Sequence, residues 1–168
     1  MTTNIDVFTD GSTLNNQTKE LRKGGVGVWF GENDSRNISI PLSDKFGSKV
    51  TNQVAELIAC ILSIETILST QKIGKCKINI YTDSMYIVNS INTWAKGWEK
   101  NSWKKKDGKT IENENEIKKL YYYSLNLNTK FIHVRSHQKE PPISDPKYFI
   151  WYGNKMADEL AVKGSNSN

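Results

Sequence analysis

Short stretches of alternating apolar and polar residues recur along the chain. The first of them sets Ile5 and Val7 on one side and Asp6 and Phe8 on the other. Such a period of two is typical of a β-strand. The patterns predict five strands: Asn4–Thr9, Gly24–Phe30, Ile38–Leu42, Cys76–Thr82 and Thr129–Arg135.

Between Thr51 and Ser69 apolar residues recur instead at steps of three and four, which predicts an amphipathic helix. Thr51 or Asn52 is a suitable N-cap for it. Three further helices are predicted: Ser84 to about Trp94, Glu112–Leu125 and Asn154–Lys163. This order of elements predicts an α/β fold with a five-stranded mixed sheet flanked by helices.

The segment from Gln138 to Gly153 is predicted to be a long loop, and residues 164–168 a frayed tail. The loop holds three of the four prolines and four of the chain's aromatic residues. Prolines stiffen a connection, and aromatic side chains favour a surface to cover. We therefore expect the loop to pack against the body of the protein.

The composition is that of a globular protein, with 37% hydrophobic and 24% charged residues among 168. We expect a single domain over residues 1–168, with no signal peptide, transit peptide or transmembrane segment. Cys60 and Cys76 lie in apolar runs without metal-ligand spacing. We expect them to be buried free thiols in a reducing compartment, the cytoplasm or the nucleus.

The net charge of +5 is unevenly distributed along the chain. Between Trp94 and Lys109 six lysines stand against two acidic residues, so this window alone carries +4. Such a concentration favours a polyanionic partner. We call residues 94–109 the handle.

Four acidic residues are candidates for chemistry. Asp10 and Asp83 each follow a predicted strand, at the edge where α/β sheets bind ligands, although Asp83 is equally suited to cap the next helix. Glu56 lies in a helical turn that is apolar on nearly every side, where an ionised carboxylate is costly unless it is paired or bound to metal. Asp158 is a candidate on the last helix, with capping or surface exposure as the alternative.

Together these acids form the all-oxygen ligand set that suits Mg²⁺, with Mn²⁺ as a substitute. Two such ions about 3.5–4 Å apart activate a water and stabilise the leaving oxygen of a phosphodiester. The sequence therefore predicts metal-dependent hydrolysis if the four side chains meet in space.

The chain resembles type 1 ribonuclease H over nearly its whole length. The matching motifs are DGS at residues 10–12, TNQVAE at 51–56, YTDS at 81–84, VRSH at 134–137 and GNKMAD at 153–158. The resemblance implies a ribonuclease H-like fold with a basic helical handle. It also implies an endonuclease that hydrolyses the RNA strand of RNA–DNA hybrids with two metal ions, leaving 3′-hydroxyl and 5′-phosphate ends.

The resemblance assigns catalytic and metal-binding roles to the four acids, and to His137 a role in proton transfer and product departure. The implied substrate contacts fall into three sets. They are Asn16, Asn52 and Gln53 for RNA 2′-hydroxyls, Lys49, Thr51 and Asn113 for a DNA phosphate, and Trp94, Trp98, Trp103, Lys104, Lys105 and Lys106 for the DNA strand. Helix capping is the alternative role for Asn52, and packing of the handle is the alternative for Trp94 and Trp98.

The chain departs from the family in two places. Met1 lies just before the first strand, so we expect the N-terminal hybrid-binding domain of many eukaryotic relatives to be absent. The segment between His137 and Asp158 is longer than in the family. It either only packs against the body, or it holds His137 over the metal site or touches the substrate backbone beside it. We expect a monomer with no membrane partner.

Two alternative functions differ from hybrid cleavage. One is a junction resolvase or integrase-like nuclease on the same fold, which would not need the TNQ motif or the handle. The other is a catalytically inactive hybrid-binding module, which we would expect to lack at least one of the four acids.

Overall fold

A computed structural model describes residues 3–14, 22–42, 50–71 and 76–167. Two predicted contact residues, Asn16 and Lys49, lie outside these ranges. The strands are β1 (Thr3–Leu14), β2 (Lys23–Trp29), β3 (Ile38–Leu42), β4 (Cys76–Thr82) and β5 (Thr129–His133). The helices are α1 (Asn52–Thr70), α2 (Met85–Asn89), α3 (Ala95–Lys100), α4 (Glu114–Asn126) and α5 (Lys147–Asn166), with a π-helical turn at Ser90–Trp94.

The five strands form one sheet in the order β3-β2-β1-β4-β5. β1, β2 and β3 pair antiparallel, whereas β4 pairs parallel with both β1 and β5. The predicted mixed sheet is therefore confirmed. β1 continues beyond the predicted end at Thr9, because residues from Asp10 to Leu14 pair with β2 after β4 has ended.

One face of the sheet is covered by α1, which begins where Thr51 accepts a hydrogen bond from the Val54 amide. Its apolar side packs on inward-facing strand residues such as Val7, Val28 and Ile80, all fully buried. In length and hydropathy α1 would suffice to cross a membrane, but nine of its residues are buried within the fold. Cys60 on α1 is a buried free thiol, as predicted, while Cys76 is only partly buried.

The opposite face is covered by α5, whose backbone lies directly on β2. A β-carbon on Gly27 would lie 2.2 Å from the Ala157 carbonyl oxygen, and one on Gly25 would lie 2.1 Å from that of Ala161. Only glycine permits this approach. The contact fixes the position of α5, and therefore of Asp158, relative to the sheet.

The prediction that residues 138–153 form a loop is wrong in its second half, because α5 begins at Lys147 and not at Asn154. The aromatic residues of this segment occupy the first two turns of the helix. Phe149 meets the Phe8 ring edge-on at 5.4 Å, and the absent side chain of Gly153 leaves space for that same ring. The predicted frayed tail is also helical as far as Asn166, with Gly164 lying against the Ile40 backbone.

The handle begins at the last residue of the π-helical turn and continues through α3. An isolated bridge pairs its Lys104 with Thr110, just beyond its end. Trp103 is buried and meets Tyr121 edge-on at 5.9 Å. Trp94 and Trp98 contact each other with ring centroids 5.8 Å apart, and Trp94 remains 43% exposed.

Candidate metal centre and nucleic-acid interface

Asp10 on β1 and Asp83, the first residue after β4, lie side by side where the parallel pairing of these strands ends. Thr9 pairs with Thr82, so each aspartate is the next residue in register. Ser84, not Asp83, caps α2 by accepting a hydrogen bond from the Ile87 amide. The capping alternative for Asp83 is therefore wrong, and its carboxylate is left beside that of Asp10.

Glu56 joins the two aspartates from α1. A β-carbon on Gly11 would lie 2.5 Å from the Glu56 backbone nitrogen, so glycine at this position lets α1 approach the strand that carries Asp10. One oxygen from each of Asp10, Glu56 and Asp83 lies within 4.8 Å of the other two. Glu56 Oε2 is buried and has no hydrogen-bond partner among the residues that the structure describes.

The pKa of each of the three carboxyl groups is raised, mainly by burial. Burial is the main cause that raises the pKa of Asp10, and the neighbouring charge of Glu56 adds to it. Burial also raises the pKa of Glu56, with the charge of Asp83 acting in the same direction. The pKa of Asp83 is raised by burial and by the charge of Asp158. Like charges held this closely favour a cation between them.

Asp158 lies beside this group and not inside it. It is exposed and is not among the three residues whose oxygens lie within 4.8 Å of one another. Its charge nevertheless acts on both Glu56 and Asp83. With Asp83 it lines an open cavity of about 470 Å³ between the end of β5 and the start of α5.

Both histidines of the chain line this cavity. Electrostatic interaction with His133 and with His137 acts to lower the pKa of Asp83, against the larger effect of burial. His137 adopts a left-handed backbone conformation with φ of 57°. His133 was not among the predicted site residues. The register of β5 with β4 could have indicated His133 as a site residue, because His133 pairs with Thr82, the residue before Asp83.

The donor set fits a hard divalent cation. Three carboxylate groups converge, one of their oxygens is buried without a partner, and oxygen is the ligand that Mg²⁺ prefers. Asp10, Glu56 and Asp83 are thus the residues that could hold a metal, with Asp158 at the edge of the group.

A second open cavity, of about 790 Å³, lies at the start of α1. It is lined by Thr51, Asn52, Gln53 and Asn113, so the structure brings together four predicted substrate contacts. Thr51 is the N-cap, which leaves the exposed side chains of Asn52 and Gln53 free of that role. Asn113 donates a hydrogen bond of 3.2 Å to the Tyr86 hydroxyl.

In the handle the predicted contacts divide by exposure. The side chains of Lys104, Lys105 and Lys106 are all exposed, as is Trp94. Trp103, by contrast, is buried, and its ring packs against Tyr121.

The fold and site together define an α/β protein with a carboxylate metal centre where two parallel strands end. Comparison with known proteins then gives the family. The sequence profile of RNase H matches residues 2–166. The chain therefore belongs to the RNase H family, which is a family of hydrolases.

Individual relatives agree with this assignment. Human ribonuclease H1 is 34% identical over 98% of this chain and 51% of its own length. Ribonuclease H of Pseudoalteromonas atlantica is 34% identical over 82% of this chain and 81% of its own. The crystal structure of LC9-RNase H1, a type 1 RNase H with the type 2 active-site motif, superposes with a TM-score of 0.72. That match has 22% identity and covers 99% of this chain and 74% of the other. The chain spans about half the length of several curated relatives that it matches.

Proposed function

We propose that this chain is an endonuclease that hydrolyses the RNA strand of RNA–DNA hybrids and leaves 3′-hydroxyl and 5′-phosphate ends. The observation that carries the proposal is the convergence of Asp10, Glu56 and Asp83 at the sheet edge, in a chain of the RNase H family. The presence of these acids argues against a catalytically inactive binding module. The exposed Asn52 and Gln53 beside the site argue against an enzyme specific for DNA.

The metal in this proposal is Mg²⁺, with Mn²⁺ as a substitute. Asp10, Glu56, Asp83 and Asp158 would hold two ions, which when bound supply an activated water and stabilise the leaving oxygen. Asp10 and Glu56 would hold the ions from positions with little access to water, where burial strengthens the interaction of a carboxylate with a cation. Asp158 and Asp83 face the open cavity and so meet the substrate side of the centre.

His137 lines the same cavity, after β5, and its electrostatic interaction with Asp83 acts to lower the pKa of that carboxyl group. We propose that it assists proton transfer to the leaving oxygen and departure of the product. A loop position suits this role, because groups that gate product release commonly lie on loops.

The remaining substrate contacts follow the two cavities and the handle. Asn52 and Gln53, with Asn16, would contact RNA 2′-hydroxyls, the groups that distinguish RNA from DNA. Thr51 and Asn113, with Lys49, would bind a DNA phosphate in the second cavity. Trp94 and Trp98 and the exposed lysines of the handle would follow the DNA strand.

We further propose that the chain acts as a monomer and as a single domain, because one copy carries all four acids. A location in the cytoplasm or nucleus, away from membranes, is supported by the buried free thiol of Cys60 and by the packing of α1 inside the fold.

The test is a cleavage assay on labelled RNA–DNA hybrid, duplex RNA, duplex DNA and single strands, with and without Mg²⁺. We expect cleavage of the hybrid alone, and only with metal. End groups are then identified by ligation and by phosphatase sensitivity. Cleavage of duplex DNA at a comparable rate would contradict the proposal, as would hybrid cleavage that persists in a chelator.

A further inference from the structure

The cavity beside Asp83 is rimmed by positive charge. Four of its lining residues are cationic, and all four side chains are exposed: Arg135, Lys139, Lys147 and Lys155. They come from the segment after β5 and from the first turns of α5. Lys139 and Lys147 belong to the stretch between His137 and Asp158.

These charges are poorly compensated. Within the described part of the chain, no carboxylate oxygen lies within 4.0 Å of a side-chain nitrogen of Arg135, Lys139 or Lys147. Lys155 has only a distant pair, at 4.0 Å from Glu159. The two carboxylates that do face the cavity, Asp83 and Asp158, belong to the proposed metal centre. With cations bound to these two carboxylates, the four exposed cationic side chains would leave the cavity positively charged.

Contacts within the protein also hold the walls of the cavity in place without a ligand. The Trp151 indole donates a 3.1 Å hydrogen bond to the Gln138 carbonyl, which ties the segment after His137 to the helix. Lys155 lies 5.5 Å above the Trp151 ring, so its position is supported by a cation–π contact. Phe149, on the other side of the same turn, is anchored on Phe8. These contacts reduce the ordering cost of binding.

We propose that this cavity binds an RNA-strand phosphate that flanks the scissile one, with Lys139 and Lys147 as its principal cations. A strand cut at the carboxylates must continue past them, and the cavity is the open space that shares Asp83 and Asp158 with the metal centre. A phosphate is the ligand that unpaired lysines and an arginine favour. This inference rests on the proposed function, and it gives the long segment a role in holding the substrate.

The test compares two variants with the same loss of charge. Lys139→Ala with Lys147→Ala removes the cavity lysines. Lys77→Ala with Lys130→Ala removes two exposed lysines near the amino ends of β4 and β5, the opposite end of the sheet. All four side chains are exposed, so we expect both proteins to fold, which thermal melting checks. Hybrid binding is measured in Mg²⁺ on an Asp10→Asn background, and KM and kcat are measured with Asp10 intact.

We expect the cavity variant to bind the hybrid several-fold more weakly, with a higher Kd and a higher KM. The slope of log binding constant against log salt concentration should become shallower by about 1, for the phosphate contact that is lost. In the control variant Kd, KM and the salt slope should all stay unchanged within experimental error. Hybrids with one neutral methylphosphonate, placed at successive linkages on either strand, then locate the contact. One position in the RNA strand near the cut should weaken binding to the parent protein and leave binding to the cavity variant unchanged.

Equal behaviour of the two lysine pairs overturns the inference, as does a sensitive linkage in the DNA strand only. Either result is separable from failure of the proposed function. If the control pair cleaves the hybrid normally, the function stands whatever the cavity variant does. If the unaltered protein does not cleave the hybrid at all, the function itself is wrong.

Discussion

Gly11 lies against α1 so closely that a β-carbon at this position would lie 2.5 Å from the Glu56 backbone nitrogen and 2.6 Å from the Ala55 carbonyl carbon. Both contacts are with backbone, which cannot rotate away as a side chain can. The distance between the strand bearing Asp10 and the helix bearing Glu56 therefore depends on the absence of a single methyl group.

Gly11→Ala should move α1 away from β1 and separate Glu56 from Asp10. Overpacking of this kind costs about 1–3 kcal/mol, so the free energy of unfolding should fall and hybrid cleavage should drop sharply. Gly97→Ala is the matched control, because Gly97 has no atoms within 4 Å of an added β-carbon and lies in α3. Alanine there should be neutral or stabilising by up to about 1 kcal/mol. Equal effects of the two substitutions would contradict the close-approach argument.

Asp10→Asn should abolish cleavage and, in the absence of metal, stabilise the fold. Burial and Glu56 raise the pKa of Asp10, so the folded state holds the proton more tightly than the unfolded chain. The unaltered protein therefore loses stability as the pH rises above about 3.9, the pKa of aspartate in the unfolded chain. The variant cannot ionise and avoids this loss. Its Tm in chelator should exceed that of the native protein at pH 7, and the gap should close in acid. Substantial cleavage by Asp10→Asn would refute the metal assignment.

Asn52→Ala with Gln53→Ala should reduce cleavage of hybrids much more than it reduces stability. Both side chains are exposed, and the cap of α1 is supplied by Thr51. Thr51→Ala is the comparison for stability, since loss of an N-cap costs about 1 kcal/mol. Thermal melts and kcat/KM of the variants separate the two effects. A double variant that melts as early as Thr51→Ala, with its kcat/KM unchanged, would remove Asn52 and Gln53 from the substrate interface.

Neutralising Lys104, Lys105 and Lys106 together should weaken hybrid binding and flatten its dependence on salt, because fewer counterions are released. The three side chains are exposed in the handle, and none of them lines the cavity at the carboxylates. The turnover number at saturating substrate should therefore change little. Kd measured between about 0.05 and 0.2 M salt checks this. An unchanged slope would mean that these lysines are only a solvated surface.

Much of this architecture could be predicted from periodicity alone. The bounds of α1 agree with the prediction to within a residue, because its apolar spacing is strong and Thr51 marks its start. The end of β1 could not be predicted. Asp10-Gly11-Ser12 is typical of a turn, and only pairing with β2 keeps those residues extended. That pairing is a tertiary effect, and local sequence carries no sign of it.

The start of α5 was missed for a related reason. Gly153 and Asn154 suggest a helix boundary, yet Gly153 lies inside the helix because the Phe8 ring occupies the space of its side chain. At the site, the sequence alone could identify three of the acids: Asp10 and Asp83 each follow a strand, and Glu56 lies in an apolar helical turn. His133 could not be identified, because an exposed histidine on a strand resembles any surface residue until its register with Thr82 is known.

The parallel pairing of β1 with β4 has a consequence for how the protein folds. Asp6 and Asn79, which bond across these strands, are 73 positions apart in the chain. Closing so long a loop is entropically costly and slow, whereas α1 and the β2–β3 hairpin need only local contacts. Asp83 reaches Asp10 only when that closure is complete. During refolding, helical signal should return first and nuclease activity with the slowest phase, which makes activity a direct reporter of the final long-range step.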